Sequence, residues 1–470
     1  MSKIFKNLLP FWKSVIIILA LLLVQAWCDL SLPQYTSDII DVGIQNSGVE
    51  HVLPEAVTKE EFETAKTFMT EDEITEWENA YEEDGDHFVR TENDGDTLND
   101  LDGDLSMALV MNYQMSMMDE ATFKETIAAQ MQMDPENLKD LSVEQIGQML
   151  GADLTTFTRE KEDDDGNKTE VTCVDVRPLF QNMLNAGMMQ KSDLLSVRDE
   201  MEESFNAVGD TMIQSIGVAY AIQCDKDAGI DVDHIQTSYL WAEGLRMIGL
   251  ALLMGVATVL VGLFASKVAA GVGMNLREGL FKKVVGFSNA EMDHFSTASL
   301  ITRSTNDVQQ IQMVTVLLLR MVIYAPILGI GGIIKVYQTG AGMGWVIGLA
   351  VLVIMGFVSV LMAVTLPKFK LMQKLVDGLN LVSREILTGI SVIRAFGREK
   401  TEEERFDEAN TKLTKTMLFT NRVMTLMMPC MMFIMYGLTV LIVWVGAHKI
   451  DEGVLQVGAM TAFITYAMQI

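Results

Sequence analysis

EILTGISVIRAFGREKTEEERFDEAN, Glu385 to Asn410, is the stretch on which the fold turns. It lies inside a longer segment, Pro367 to Thr416, where Leu375, Leu379, Val382, Ile386, Ile390, Ile393 and Phe406 recur at helical spacing. No proline follows Pro367 there, so the segment reads as nearly continuous helix. Gly378, Gly389 and Gly397 are expected to interrupt it, leaving a short transverse piece between two long arms. On either side stand apolar runs, Trp345 to Leu366 and Leu418 to Ala447. Each supplies the roughly 20 residues that cross a bilayer as a helix. A charged helical segment of this length between two spans has to project well beyond the membrane.

Further apolar runs lie outward from this pair: Ser14 to Trp27, Leu245 to Ala265, Val314 to Ile334, and a last one that starts near Val454 and reaches Ile470 in mid-span. The first could be a signal peptide, since Val24-Gln25-Ala26 resembles a cleavage site. Apolar character resumes through Leu30 to Ile40, which favours an uncleaved first helix. Six spans are therefore expected, the sixth cut short, in a chain that looks like part of a longer one.

Charge divides along the same lines. The 470 residues carry a net charge of -28, yet their mean hydropathy is positive, +0.24. Residues 30 to 237 hold 47 acidic and 12 basic side chains, whereas everything else holds 16 and 23. That split excludes a single soluble globule, a disordered acidic protein and a nucleic-acid binder relying on a basic field. Four cysteines exclude a disulfide scaffold. Lys and Arg accumulate on the cytoplasmic side of membrane proteins. Lys3, Lys6 and Lys13, five basic residues between Lys267 and Arg303, and eleven between Lys368 and Arg422 oppose only Lys335 and Lys449. The N-terminus is thus expected inside and residues 45–237 outside. Arg246 is expected to snorkel outward and pair with Glu243. Arg320, inside a span, is expected to face protein or a water-filled path, unless it is simply interfacial. At Glu402 to Glu404 the charges read as a solvated face with i,i+4 pairs Arg398 to Glu402 and Lys400 to Glu404.

The acidic block has its own helical signals. Thr58 to Glu61, Thr70 to Glu73 and Ser142 to Gln145 read as capping boxes, and Asp134-Pro135 as an N-cap before an N1 proline. Leu194 to Cys224 reads as one long amphipathic helix, and Leu154 to Phe157 with Val171 to Val176 as a hairpin. A mainly helical domain of about 190 residues, large enough for its own core, is expected. The clusters Asn93 to Asp104 and Asp163 to Asn167 lack calcium-loop spacing, so no metal site is assigned. His51, His87 and His234 read as isolated surface histidines. Cys173 and Cys224, the cysteines within this block, are expected to form a disulfide if the compartment is oxidising.

Four stretches carry a resemblance. Glu385 to Asn410 strongly resembles the second intracellular segment of type I ABC exporters, and three others follow the family's order: LPQYTSDIIDVGI (Leu32 to Ile44), FSTASLITRSTNDVQQIQ (Phe295 to Gln312) and GAMTAFITYAMQI (Gly458 to Ile470). The resemblance implies an all-α polytopic protein. Six helices, residues 1–44 for the first and 238–470 for the rest, would pair with six from a second subunit, identical or not, around a substrate path. The acidic domain of residues 45–237 has no counterpart in the family core. Cytoplasmic segments 267–313 and 367–416 would carry two coupling helices, one around Glu291 to Ser296 (Glu291, Met292, Asp293, His294, Phe295) and one around Leu379 to Gly389 (Arg384, Glu385). These would seat on nucleotide-binding domains, the second on the partner's.

ATP and Mg2+ would serve the complete transporter alone, because no Gly-Lys pair of a phosphate-binding loop and no signature motif occurs in these residues. The ATPase domain is expected after the sixth span. In the fifth, Met424, Met428, Met431 and Met435 share one stripe, suited either to a promiscuous cavity or to ordinary helix packing. With Arg320 they are the substrate-cavity candidates. The expected setting is a bacterial plasma membrane. A sensor with an outer domain between two spans, or a four-span force-transmitting permease, is the competing reading; the first does not expect four further spans, and the second does not expect two long helical hairpins.

Overall fold

A computed structural model of the chain describes residues 8–92, 94–130, 141–162, 168–208, 210–288, 291–292, 295–339 and 342–470. Its contacts divide it into two compact units, Met1–Gly331 with His448–Ala462, and Gly332–Ala447 with Phe463–Ile470.

The first span is α1 (Trp12–Asp38), which runs on into a π-helical turn at Ile39–Gln45. Between it and the next span, β1 (Ala56–Thr58), α2 (Lys59–Ala65), α3 (Glu71–Ala80), β2 (Tyr81–Asp84), β3 (His87–Arg90) and α4 (Gly95–Ser116) build a first core. Its sheet has the antiparallel order β1-β3-β2. Phe62, Trp77, Tyr81 and Phe88 stack at its centre, with Phe62 and Phe88 ring centroids 3.9 Å apart. Trp77 donates its indole N–H to the Phe62 carbonyl at 3.3 Å, and the Tyr81 hydroxyl donates to the Pro54 carbonyl at 2.8 Å. Most buried polar groups in folded proteins are bonded in this way.

A second core follows from β4 (Met118–Asp119), α5 (Glu120–Gln130), α6 (Val143–Leu150), β5 (Thr156–Glu162), β6 (Lys168–Val174) and α7 (Arg177–Asn185), with the antiparallel order β4-β6-β5. Phe123, Ile127, Ile146, Leu154 and Val174 are buried together there. The segment closes with α8 (Lys191–Val208) and α9 (Asp210–Asp227), on either side of residue 209, which lies outside the described residues; the expected single helix over Leu194 to Cys224 is thus described as two.

Of the three expected capping boxes, two form in full and one in part. Thr70 with Glu73 and Ser142 with Gln145 form both halves of a capping box. Thr58 caps α2 through the Glu61 amide, but the Glu61 carboxylate is drawn away to Arg177 Nη1 (2.7 Å) and Asn112 Nδ2 (2.7 Å). The pair β5 and β6 confirms the hairpin. Asp94 to Asp104 belongs to the start of α4, where Asp102 accepts from the Val52 amide (3.0 Å) and pairs with His51 Nδ1 (2.7 Å). His51 is therefore a partly buried, partnered histidine and not a surface one. Asn93, Asp134-Pro135 and Asp163 to Asn167 lie outside the described residues.

The expected disulfide is not present. Cys173 and Cys224 are buried thiols that are not joined to one another, Cys173 on β6 opposite Phe157 and Asp119, and Cys224 on α9 in the first core. Cys173 lies in the second sheet and Cys224 in the first core, and burial pushes the Cys224 thiol well up, which disfavours the reactive thiolate.

Beyond the segment come α10 (Val232–Val285), α11 (Thr297–Thr302), α12 (Val308–Leu317) and α13 (Tyr324–Gln338), with π-helical turns at Arg303–Asp307 and Leu318–Val322. They are followed by α14 (Gly344–Ala395), α15 (Glu399–Asp451) and α16 (Val457–Gln469). Among the described residues, five helical stretches are long and apolar enough to cross a membrane: Leu9–Gln45, Val232–Val285, Thr297–Gln338, Gly344–Ala395 and Glu399–Asp451. The sixth apolar run forms α16, of 13 residues, which is too short to join them. Ile18 and Leu22 of α1 pack on Val261, Ala265, Val268 and Val272 of α10. Small and β-branched side chains permit that close approach where lipid supplies no hydrophobic drive. Glu243 is buried and bonds the exposed Arg246, as expected.

Candidate coupling site

The helices α10, α14 and α15 contain 54, 52 and 53 residues. At 1.5 Å per residue each is about 80 Å long, against an apolar bilayer core of about 30 Å. Two hairpins therefore project past the membrane.

In the second hairpin, α14 runs unbroken through Gly378 and Gly389, so no separate transverse helix interrupts Leu379 to Gly389. Two glycines cannot break a helix whose other residues favour it, since each costs only about 1 kcal/mol. The break comes at Gly397, where φ is +63°. The Gly397 amide donates to the Arg394 carbonyl (3.3 Å) and the Arg398 amide to the Ile393 carbonyl (3.0 Å), the two bonds of a Schellman end. Arg398 then accepts from the Glu402 amide (3.2 Å), which starts α15. Three residues thus reverse two helices of about 50 residues each.

Across this tip Arg405 Nη2 bonds Glu385 Oε2 at 2.6 Å, with both side chains about half exposed. Arg405 Nη1 also reaches Glu402 at 3.4 Å, so Glu402 pairs forward along the helix and not back to Arg398. Arg384 is exposed beside Glu385. Ile386, Leu387, Ile390, Ile393 and Phe406 floor an open groove of about 640 Å³ whose rim carries Arg394, Glu399, Glu402, Glu403 and Asp407. The apolar periodicity of the sequence thus predicts the floor, whereas the ion pair to Arg405, twenty residues from Glu385, has no local signature.

The first hairpin begins with α10. Ser288 and Glu291 cap one another: the Ser288 amide and hydroxyl donate to Glu291 Oε2 (2.8 and 3.0 Å), and the Glu291 amide donates to Ser288 Oγ (3.4 Å). These bonds hold the Glu291 carboxyl below the usual carboxylate range, the Ser288 amide contributing most. The S-x-x-E spacing was there to be read. Phe295 stacks on Phe287 with ring centroids 5.7 Å apart and carries the Arg303 guanidinium at 5.4 Å. Met292 lines a second groove with Leu280, Phe281 and Ile301. Asp293 and His294 lie outside the described residues.

Within the spans, Arg320 is exposed on the π-helical turn Leu318–Val322. Met424 and Met428 are exposed and Met431 and Met435 half-buried, all on one stripe of α15. A further pair joins α13 to α1: the Tyr324 hydroxyl bonds Asp29. An aspartate between two apolar stretches was the signal for it.

Long apolar helices that outreach the bilayer's apolar core define a multi-pass membrane protein. Residues 231–470 match the family described as ABC transporter transmembrane region, and the chain belongs to that family, as a type I ABC exporter membrane region. It is similar to an uncharacterized ABC transporter ATP-binding protein of Mycobacterium bovis, 36% identical over 231 residues, which are 49% of this chain and 39% of that protein. It is also similar to another of Bacillus subtilis, 32% identical over 232 residues, 49% and 40% of the two chains. An ATP-dependent lipid A-core flippase of Pseudomonas aeruginosa is 27% identical over 236 residues, 48% and 38%. The match covers about two fifths of the length of these relatives.

Proposed function

We propose that the chain is the membrane-spanning part of an ATP-driven exporter that carries its substrate out of the cytoplasm by alternating access. The observation that carries the reading is the α14–α15 tip: a three-residue reversal with an apolar groove and charged groups around it, at the end of two helices longer than the bilayer's apolar core, in the stretch that resembles the family's second intracellular segment. In this reading Arg384 and Glu385 contact a nucleotide-binding domain, with Glu291, Met292, Asp293, His294 and Phe295 contacting another. ATP and Mg2+ bind on those domains, which is consistent with relatives named ATP-binding proteins. A second subunit, identical or not, completes the substrate path, to which Arg320 and the methionine stripe contribute. The N-terminus is cytoplasmic, residues 45–237 lie outside a bacterial plasma membrane, and the acidic domain caps the path.

The test is Glu385→Ala in the complete transporter. Expression and substrate binding should persist while substrate-stimulated ATP hydrolysis falls at least severalfold. Unchanged stimulation would return Glu385 to a solvated ion pair with Arg405 alone. The cavity has its own test: a Met428→Ala, Met431→Ala double variant that moves every substrate as the parent does would remove those side chains from the path.

A further inference from the structure

We infer that Asp41 is a releasable latch, holding the start of α16 against the end of the first span and letting go when the outer mouth opens. The inference rests on the export reading above for its direction and on the following geometry for its existence. Helix α16 starts at Val457, and the Met460 amide donates to the Gln456 carbonyl at 3.1 Å, which puts Gln456 at the capping position. Glutamine is outside the set of short side chains that cap well. The next amides need an acceptor from elsewhere. Asp41, in the turn Ile39–Gln45, supplies it across the whole chain: its Oδ1 accepts from the Gly458 amide at 2.7 Å and its Oδ2 from the Ala459 amide at 3.1 Å. Ser37 Oγ donates to the same Oδ2 at 3.1 Å.

The carboxylate is only 5% exposed and faces the positive end of a helix. Glycine is required opposite it, because a Cβ at position 458 would lie 2.4 Å from Asp41 Oδ2 and 2.5 Å from the Ser37 carbonyl. Two neighbouring bonds extend the knot. Thr211 of α9 donates to the Val454 carbonyl before α16 at 3.5 Å, and Gln236 of α10 donates to the Gly43 carbonyl at 2.8 Å. The roots of the acidic domain and the start of α16 are thus tied at one place.

A polar contact of this kind suits a latch better than an apolar seam does. When the two sides part, water replaces the lost partners of both the carboxylate and the amides, so each separated face is stable. When they close, the geometry admits one arrangement, since an unbonded carboxylate at that depth would be costly. Parting is therefore reversible and closure specific.

Amide hydrogen exchange on the full transporter in nanodiscs tests this. Gly458 and Ala459 should exchange slowly in the resting protein, at least tenfold faster in Asp41→Ala, and faster again than rest in the wild type trapped with ATP and vanadate. Asp41→Asn, which keeps one acceptor oxygen, should fall between and guards against a misfolded alanine variant. Equal exchange in wild type, Asp41→Asn and Asp41→Ala would overturn the bond's role. Unchanged exchange in a wild type that demonstrably hydrolyses and traps nucleotide would make Asp41 a fixed cap and overturn the latch. Absence of any hydrolysis would remove the export reading, and the release step with it, while the comparison of variants still reads the bond itself.

Discussion

Single residues carry several of the molecule's commitments, and Asp225 is the clearest outside the membrane. It is fully buried in the first core, its Oδ1 accepting from the Ala56 amide at 3.0 Å and its Oδ2 lacking any hydrogen-bond partner. Burial pushes its carboxyl up to about 6 from an ordinary 3.8, against the pull of the Ala56 amide. The folded state therefore holds a proton that the unfolded state releases between those values. Stability should be greatest below about pH 4 as far as this group is concerned, fall as pH rises towards 6, and stay lower above it, by roughly 3 kcal/mol. Asp225→Asn keeps the acceptor and removes the charge, so it should raise the melting temperature at pH 7.5 and lose that advantage at pH 4. Melting both proteins across this range checks the sign; a wild type that gains stability relative to the variant on going from pH 4 to 7.5 would contradict it. Glu385 sits at the other extreme. Its exposed pair with Arg405 is worth at most about 1 kcal/mol, so Glu385→Ala should hardly move the melting temperature, and any loss of coupling in that variant would not be a loss of fold.

At the scale of elements, the glycines of the second hairpin separate two physical situations that sequence spacing alone does not. Gly378 and Gly389 lie inside α14 with open space around them, whereas Gly397 holds a left-handed conformation. Gly389→Ala should stabilise the protein by up to about 1 kcal/mol, and Gly397→Ala should destabilise it by about 1–2 kcal/mol. Thermal melts of the two variants moving in the same direction would refute this assignment of the turn. The same contrast shows what sequence could convey. Helical periodicity and capping boxes are local rules, so the hairpin floor, α2, α3 and α6 were legible from Ile386, Ile390, Ile393, Thr58, Thr70 and Ser142. Which of three glycines turns the chain depends on how well the surrounding helix resists interruption. Contacts made across the chain were not legible: Glu385 to Arg405, His51 to Asp102, and Asp41 to Gly458 join residues with no pattern linking them. The Cys173 to Cys224 pairing failed for the same reason, because counting cysteines says nothing of which core each enters.

For the whole molecule, the domain between the first two spans is rooted directly in them, with Gly48 packed on the Gln236 backbone and no long flexible linker. Rooted so, it is expected to act on the transport path. Replacing Gly48 to Gly229 with a short linker, after membrane insertion and dimerisation are verified, should uncouple ATP hydrolysis from transport or alter substrate range; wild-type rates and range would leave the domain a bystander. Its acidity would add an attraction for cationic solutes that fades as salt rises above about 0.15 M. All of this depends on the central claim, that the tip joining α14 to α15 delivers work from an ATPase domain into the membrane helices. A photo-reactive amino acid at the exposed Arg384, in the purified complete transporter in lipid, tests that most directly. Irradiation should join position 384 to a peptide of a nucleotide-binding domain, with a yield that changes when ATP and vanadate are added. Cross-links found only to lipid or to this chain's own helices, whatever the nucleotide, would contradict the account.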